Sequence, residues 1–138
     1  MKPRITRIDT NSVNTEVDLL YPELSYKVVG VAMEVHRKLG PAFLEKVYEN
    51  SMMVVFERDN VPAKQQFPIP VFFDGNNVGN YVADIIVADK IILELKTVDS
   101  ITDVHVAQVM NYLKATGKRL GIILNFKNSS LEQHRVVL

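Results

Sequence analysis

The spacing of apolar residues changes from a helical to a strand period partway along this chain of 138 residues. From Pro22 to Leu39, apolar side chains recur every three or four positions, as on one face of a helix. Proline suits a first helical turn and Gly40-Pro41 suits a helix end, so one helix is predicted there. A second helix is predicted from about Phe43 to Arg58. Its expected inward side consists of Leu44, Val47, Ser51 and Val54/Val55.

Residues 64–96 contain short apolar runs separated by turn residues, which predicts three strands. The sequence Asp-Gly-Asn-Asn at 74–77 marks the first turn. Pro68 and Pro70 indicate that the first strand lies at the edge of the sheet, because proline donates no ladder hydrogen bond. Four phenylalanines are interpreted as core or edge packing rather than as platforms for bases: Phe67, Phe72, Phe73 and Phe126.

A third helix is predicted over 102–116, capped either by Thr102 or by Ser100 with Asp103, and ended by Gly117. The apolar run that follows suits a buried central strand, and the last residues suit a short strand. The order of elements predicts an α/β fold with a mixed central sheet. Three antiparallel strands are followed by a helical crossover and a further strand, and helices flank the sheet.

Composition indicates one domain over 16–138, preceded by a flexible N-terminal arm at 1–15. A hydrophobic fraction of 47% and a charged fraction of 23% are ordinary for a globular protein. The absence of cysteine excludes disulfides, thiolate zinc sites and a cysteine nucleophile. The N-terminus lacks the apolar core of a signal peptide, and no apolar run is long enough to span a bilayer. A cytoplasmic location with no membrane partner is therefore expected.

The charges balance, with 16 basic and 16 acidic residues, which argues against a protein coated for nucleic acid. From Lys114 onward, however, five basic residues face one acidic residue. A solvated surface is the plain interpretation, and a phosphate-contacting edge is the sharper one. The candidates for nucleic-acid contact are Lys114, Lys118, Arg119 and Lys127, with Arg135 in the same basic stretch.

Three charged side chains interrupt the apolar strands between 82 and 100. Glu94 and Lys96 lie two residues apart and therefore share one face of their strand. Asp84, on the preceding strand, joins that face if the connecting loop has an odd number of residues. A three-residue loop at 88–90 sets Asp84 opposite Glu94, whereas a two-residue Asp89-Lys90 turn sets them on opposite faces.

Two neighbouring carboxylates repel each other and favour a divalent cation. Magnesium accepts one or two carboxylates together with water and substrate phosphate, and it can polarise a phosphodiester. An adjacent lysine can orient the nucleophile or neutralise charge on the phosphate. On the third helix, Gln108 and Tyr112 share a stripe with His105 and can reach the same site if that stripe faces the sheet edge. Taken alone, this pattern of two acidic residues and a lysine is more typical of charged strand ends than of a catalytic site.

The stretch "GPAFLEKVY" at 40–48 resembles the signature of the GxxExxY family, a branch of the PD-(D/E)XK nuclease superfamily. The resemblance covers nearly all of 25–126, through "VHRKLG", "YVADIIV", "ILELK", "AQVMNYL" and "RLGIILNF". It implies a restriction-endonuclease-like core. One departure is that the first glycine of the motif falls at Ala42, which is expected to shift the helix start slightly.

The same resemblance implies roles for individual residues. Asp84 and Glu94 would be ligands of Mg²⁺ or Mn²⁺, and Glu45 would complete the metal site. Lys96 would be the catalytic lysine. The assisting residues would be Gln108 and Tyr112.

The leading hypothesis is therefore a metal-dependent nuclease, either endo- or exonuclease, that hydrolyses phosphodiester bonds of DNA or RNA, with DNA favoured. The alternative is a catalytically silent nucleic-acid-binding or assembly module that retains the fold. The balanced charge favours the silent module, whereas the complete set of acidic residues and lysine favours the enzyme. A third reading is a subunit that dimerises and lends its site to a larger complex, so a homodimer stays open.

Overall fold

The computed structural model describes residues 20–138, and the predicted arm at 1–15 lies outside them. The described residues form three helices and five strands. In chain order these are α1 (Pro22–Leu39), α2 (Glu45–Arg58), β1 (Ala63–Phe73), β2 (Asn76–Val87), β3 (Ile91–Lys96), α3 (Asp103–Thr116), β4 (Leu120–Asn125) and β5 (Glu132–Val137). Over the described range, no helix combines the length and apolar character needed to cross a membrane.

The strands build one mixed sheet in the order β1-β2-β3-β4-β5. Neighbouring strands are antiparallel except for β3 and β4, which are parallel and joined through α3. This arrangement confirms the predicted α/β fold with its helical crossover. β1 lies at an edge, as its prolines indicate, and every residue of β4 is buried, as predicted for a central strand.

The sheet separates two apolar cores. Helices α1 and α2 pack against one face, where the alternate β3 residues Ile91, Leu93 and Leu95 are buried. Helix α3 packs against the opposite face, where Ile92 is buried. Because side chains alternate along a strand, Glu94 lies on the same face as Ile92, toward α3.

The predicted inward side of α2 was wrong at most positions. Leu44 precedes the helix and is 80% exposed, and Val54 is 68% exposed. The residues that α2 buries are Tyr48, Glu49, Met52, Val55 and Phe56. Their spacing is helical, but two of the five are polar or amphipathic, so the apolar pattern alone pointed to the wrong stripe.

Helix α3 begins and ends as predicted. Thr102 precedes it, and the Thr102 N–H donates a hydrogen bond to His105 Nδ1 at 3.0 Å, while Gly117 follows it with a left-handed backbone. The helix lies close to β4 at Gly121, where a Cβ would stand 2.5 Å from Val109 Cγ1. Glycine at this position therefore sets how deeply α3 packs onto the sheet.

Candidate active site

The hairpin between β2 and β3 has the loop length that the site requires. Val87 pairs with Ile91 across the three-residue loop 88–90, and the Lys90 N–H donates to the Val87 carbonyl at 2.9 Å. The two-residue Asp89-Lys90 turn is therefore excluded. The odd loop directs Asp84 and Glu94 to the same side of the sheet.

Asp84 lies where β2 separates from β3. The pairing between these strands runs from Val87–Ile91 to Ile85–Leu93. Asp84 is the first residue of β2 beyond this pairing. Its Oδ2 accepts a hydrogen bond from the Leu95 N–H at 2.8 Å, so a side chain replaces the backbone hydrogen bond that continued pairing would supply. Burial raises the pKa of Asp84, and the Leu95 hydrogen bond partly offsets that rise. We call this point of separation the fork.

Glu94 is a buried carboxylate beside Asp84. Burial, followed by the negative charge of Asp84, raises the pKa of Glu94 to about 8. The buried Glu94 Oε1 has no hydrogen-bond partner among residues 20–138, and Lys96 Nζ lies 4.0 Å from Oε2. A buried carboxylate oxygen without a donor is costly, and a cation is one way to satisfy it. The pair thus fits the hard oxygen donors that magnesium takes.

Glu45 joins the fork from the first turn of α2. Glu45 Oε2 accepts a hydrogen bond from the Thr97 N–H at 3.1 Å, directly after Lys96. Its charge contributes to the raised pKa of Asp84 and of Glu94. Within 20–138, however, the structure gathers no group of three acidic, histidine or cysteine side chains close enough to hold one ion. Glu45, the predicted third ligand, therefore lies near Asp84 and Glu94, but one of its carboxylate oxygens accepts a hydrogen bond from a backbone amide.

Tyr48 fixes the segment that leads into Glu45. The Tyr48 hydroxyl donates to the Gly40 carbonyl at 2.5 Å and accepts from the Phe43 N–H at 3.2 Å. Its ring is fully buried and stacks on Phe126 with centroids 4.5 Å apart. The tyrosine of the "GPAFLEKVY" stretch therefore secures the loop between α1 and α2.

The start of α2 differs slightly from the prediction. The helix begins at Glu45 rather than near Phe43. Ala42 has no left-handed backbone, so this position does not need the conformational freedom of glycine. The departure from the motif is thus compatible with the observed backbone.

Sequence reasoning missed Glu49, which follows Glu45 by one helical turn. Glu49 is 4% exposed, and its carboxylate accepts hydrogen bonds from Lys46 Nζ at 3.1 and 3.2 Å. It also accepts from Gln65 Nε2 at 2.7 Å and from Gln66 Nε2 at 3.0 Å. The i, i+4 spacing from Glu45 was the signal available in the sequence.

The contacts of Glu49 secure β1 opposite the fork. Gln66 has a left-handed backbone with φ 54, and it lies between the pairs Gln65–Ile85 and Phe67–Ala83. Position 66 thus stands across from Asp84. The charge of Glu49 also contributes to the raised pKa of Asp84. Glu49 therefore holds Gln66, the residue at which the backbone of β1 departs from regular strand geometry opposite Asp84.

Helix α3 brings Tyr112 to the fork from the other side. Tyr112 is 3% exposed, and burial, followed by the charges of Glu94 and Asp84, raises its pKa to about 12. Gln108 Nε2 donates to the Tyr112 hydroxyl at 3.0 Å, so Gln108 is linked to the fork through this tyrosine. Among the apolar residues of α3, Val109 and Leu113 are buried, and Val106 and Met110 are half-buried.

A model of the PD-(D/E)XK nuclease superfamily matches residues 22–136. The chain belongs to this superfamily. Members of this superfamily typically use divalent metals and act on nucleic acid.

A solved structure supports the fold. The crystal structure of SSO0001 superposes on the chain with a TM-score of 0.54 at 18% sequence identity. The match covers 85% of this chain and 57% of SSO0001, so the chain spans little more than half the length of that protein. No curated protein matches the chain.

The basic residues that the charge pattern predicts for nucleic-acid contact do not form one patch. Residues 118 and 119 precede β4, whose first residue Leu120 pairs with Ile91. Lys127 follows β4, whose last residue Asn125 pairs with Lys96. The predicted phosphate-contacting edge is thus divided between opposite ends of the sheet. Lys127 lies at the end that carries the fork.

Ion pairs and burial occupy several of these basic groups. Lys118 Nζ lies 3.2 Å from Asp89 Oδ1, and Lys127 Nζ lies 2.5 Å from Asp99 Oδ1. Arg135 is half-buried and donates to Ser25 Oγ at 3.0 Å, which gives it a structural contact. The exposed members of the predicted set are Lys114, Arg119 and Lys127.

Proposed function

We propose that the protein is a divalent-metal-dependent nuclease that hydrolyses phosphodiester bonds, with DNA favoured over RNA. Superfamily membership supplies the reaction class. The observation that carries the proposal is the buried Glu94 Oε1, which lacks a donor in the described chain and lies beside Asp84 and Lys96. The "GPAFLEKVY" stretch supports a finer placement in the GxxExxY family.

Asp84 and Glu94 would hold Mg²⁺ or Mn²⁺, with Glu45 as the third acidic group. When bound, such an ion polarises the phosphodiester and offsets the negative charge that develops on it. The existing hydrogen bond from the Leu95 N–H keeps Asp84 Oδ2 fixed, so the carboxylate is oriented before any ion arrives. Preformed orientation lowers the entropic cost of assembling the site.

Lys96 would act on the phosphate or on the attacking nucleophile. Its side chain is 19% exposed, so its ammonium is partly withdrawn from water, where its electrostatic effect is larger. Glu45 would additionally steady the residue after Lys96 through the Thr97 N–H. Gln108 would assist through Tyr112, the side chain to which it donates.

The deciding experiment combines metal binding with cleavage. Mg²⁺ and Mn²⁺ are titrated calorimetrically into the wild-type protein, Glu94→Gln and the control Glu57→Gln, an exposed glutamate of α2. The same proteins are incubated with single- and double-stranded DNA and RNA. We expect Glu94→Gln to lose both metal affinity and cleavage because it removes a charged oxygen ligand, whereas Glu57→Gln should match the wild type.

A catalytically silent nucleic-acid-binding module is the second candidate. It is favoured by the formal net charge of +0 and by Glu45, whose carboxylate is engaged by a backbone amide in this structure. Wild-type protein that binds nucleic acid yet cuts none of the four substrates in either metal would support this candidate and overturn the nuclease assignment.

A further inference from the structure

The hairpin of β1 and β2 extends well beyond the rest of the sheet. β1 pairs with β2 from Ala63–Val87 to Phe73–Asn76, whereas β2 pairs with β3 over 85–87. Residues 67–83 therefore form a two-stranded ribbon that leaves the sheet at the fork. A register shift between Val71 and Phe72 interrupts the ribbon, and such bulges redirect neighbouring side chains.

Three aromatic residues of this ribbon are exposed, and two of them, Phe72 and Phe73, were interpreted as packing residues, whereas Phe67 packs against the core as predicted. Phe72 is 62% exposed, Phe73 is 67% exposed and Tyr81 is 40% exposed. Exposed apolar side chains that are clustered, unlike ones scattered singly, often mark a surface that binds a ligand or partner. The ribbon is therefore a candidate binding element.

Two of these aromatic residues, Phe72 and Tyr81, line a groove between the ribbon and α3. The groove has a volume of about 520 Å³, and its lining includes Phe72 and Tyr81 from the ribbon and Asn111 and Lys114 from α3. This volume lies within the range of small-ligand pockets, and the lining combines aromatic faces with an amide and an exposed ammonium. We call it the ribbon groove.

The ribbon groove adjoins the fork through two tyrosines. The rings of Tyr81 and Tyr112 lie 5.6 Å apart, so Tyr81 faces the groove on one side and Tyr112 on the other. The charges of Glu94 and Asp84 in turn contribute to the raised pKa of Tyr112. A ligand in the groove would therefore be a close neighbour of the acidic pair.

We propose that the ribbon groove binds an unpaired nucleotide of the substrate strand, with the base against Phe72 and Tyr81 and a phosphate at Lys114. This assignment rests on the proposed nuclease function, since it places the nucleotide beside the cleavage site. Aromatic side chains stack on bases whose faces are free, as in single strands, whereas a duplex hides those faces. Lysine supplies the positive charge that a phosphate requires.

The test measures binding without cleavage. A fluorescently labelled thymidine oligonucleotide of about 12 nucleotides, within the site sizes of single-strand binders, is titrated with protein in EDTA and followed by anisotropy. Phe72→Ala should weaken binding by about tenfold or more, the usual effect of removing a stacking partner. The matched control is Phe73→Ala, the adjacent and equally exposed phenylalanine outside the groove lining, which should change affinity by less than about twofold.

The contribution of Lys114 is read from the salt dependence. In Lys114→Ala, the slope of log affinity against log salt concentration should become shallower by about 0.7, the loss of one phosphate contact to a single strand. Lys90→Ala, which removes an exposed lysine of the loop at 88–90, should leave the slope unchanged. A blunt-ended duplex of matched length should bind more weakly than the single strand, and Phe72→Ala should affect it less.

Several outcomes would overturn the inference. Equal losses in Phe72→Ala and Phe73→Ala would show a non-specific apolar effect, and wild-type affinity in Phe72→Ala would show that the groove is not used. If sedimentation shows a wild-type dimer that Phe72→Ala dissociates, a second copy of the chain occupies the groove. Because binding is measured without metal, failure of the two hypotheses can be told apart. A protein that cuts nucleic acid but does not use the groove would contradict only this inference, whereas a protein that binds in the groove but does not cut would contradict only the nuclease assignment.

Discussion

The two ends of β3, a strand of six residues, differ in their neighbouring strands and in their side chains. At the Ile91 end, the strand is paired on both sides, to β2 and to β4, and its side chains are buried and apolar. At the Lys96 end, β4 remains paired while β2 turns away. The charged residues occur at the end where one neighbour is absent.

This difference shows how the chain tolerates buried charge. A complete ladder leaves no backbone donors for side chains, but the departure of β2 frees the Leu95 N–H, and Asp84 uses it. The same opening admits Glu45 to the Thr97 N–H. The apolar end therefore stabilises the sheet, while the open end supplies oriented carboxylates, and variants at the two ends should separate stability from activity.

The largest expected effect is on cleavage, at the charged end. Lys96→Ala should reduce the rate of nucleic-acid cleavage in Mg²⁺ by on the order of a hundredfold or more, because it removes an electrostatic group beside the acidic pair. Metal affinity measured by calorimetry should be retained, since lysine supplies no oxygen ligand. An unchanged cutting rate would indicate a contaminating nuclease and would contradict the assignment of Lys96.

The reverse result is expected at the apolar end. Leu93→Ala should lower the free energy of unfolding by about 2–5 kcal/mol, because Leu93 is fully buried between the sheet and α1/α2. Denaturant unfolding at neutral pH provides the measurement. The control is Val54→Ala, an exposed apolar residue of α2, which should change the unfolding free energy by less than about 0.5 kcal/mol. Similar losses in the two variants would contradict the assigned core.

A smaller effect on both stability and metal binding is expected at Tyr48, which holds the α1–α2 loop that leads into Glu45. Tyr48→Phe keeps the stacked ring but leaves the Gly40 carbonyl and the Phe43 N–H without their shared partner. The free energy of unfolding should fall by about 1–3 kcal/mol. If the loop positions Glu45, metal affinity should also fall, whereas a purely structural role would leave metal titrations of the folded protein unchanged.

The smallest effect concerns an exposed ion pair far from the fork. Arg58 binds both oxygens of Glu34 at 2.8 and 3.0 Å, linking α2 to α1, and this contact lowers the pKa of Glu34 from 4.5 to about 2. A lowered pKa stabilises the fold above pH 4.5, and that contribution is lost as the pH falls toward 2. Unfolding curves of Glu34→Gln should differ slightly from wild type at neutral pH and converge with it in acid. A gap that widens in acid would contradict this sign.

The sequence predicted the fold well because local periods and turn residues carried the necessary information. The edge prolines and the buried run of β4 each imposed one arrangement, whereas the hairpin at 88–90 allowed two registers and the Val87–Ile91 pair fixed one of them. Helix α2 was misread because Tyr48 and Glu49 occupy buried positions that the apolar pattern does not mark.

The misread parts of the site depend on contacts between distant segments. The burial of the Glu49 carboxylate is explained by hydrogen bonds from Gln65 and Gln66, which lie 16 and 17 residues later in the sequence. The basic stretch seemed continuous, yet Lys118 and Lys127 flank a whole strand and so lie at its opposite ends. Exposure of Phe72 depends on the ribbon leaving the sheet, which no local pattern encodes.

The edge prolines of β1 also affect how the protein behaves at high concentration. A free outer strand is a template on which another chain can add a strand, and such pairing begins many aggregates. Pro68 and Pro70 have no backbone N–H to contribute to strand pairing, and the left-handed Gln66 breaks the regular edge. We therefore expect β1, which bears the exposed Phe72 and Phe73, to be a poor template for the addition of strands from other chains.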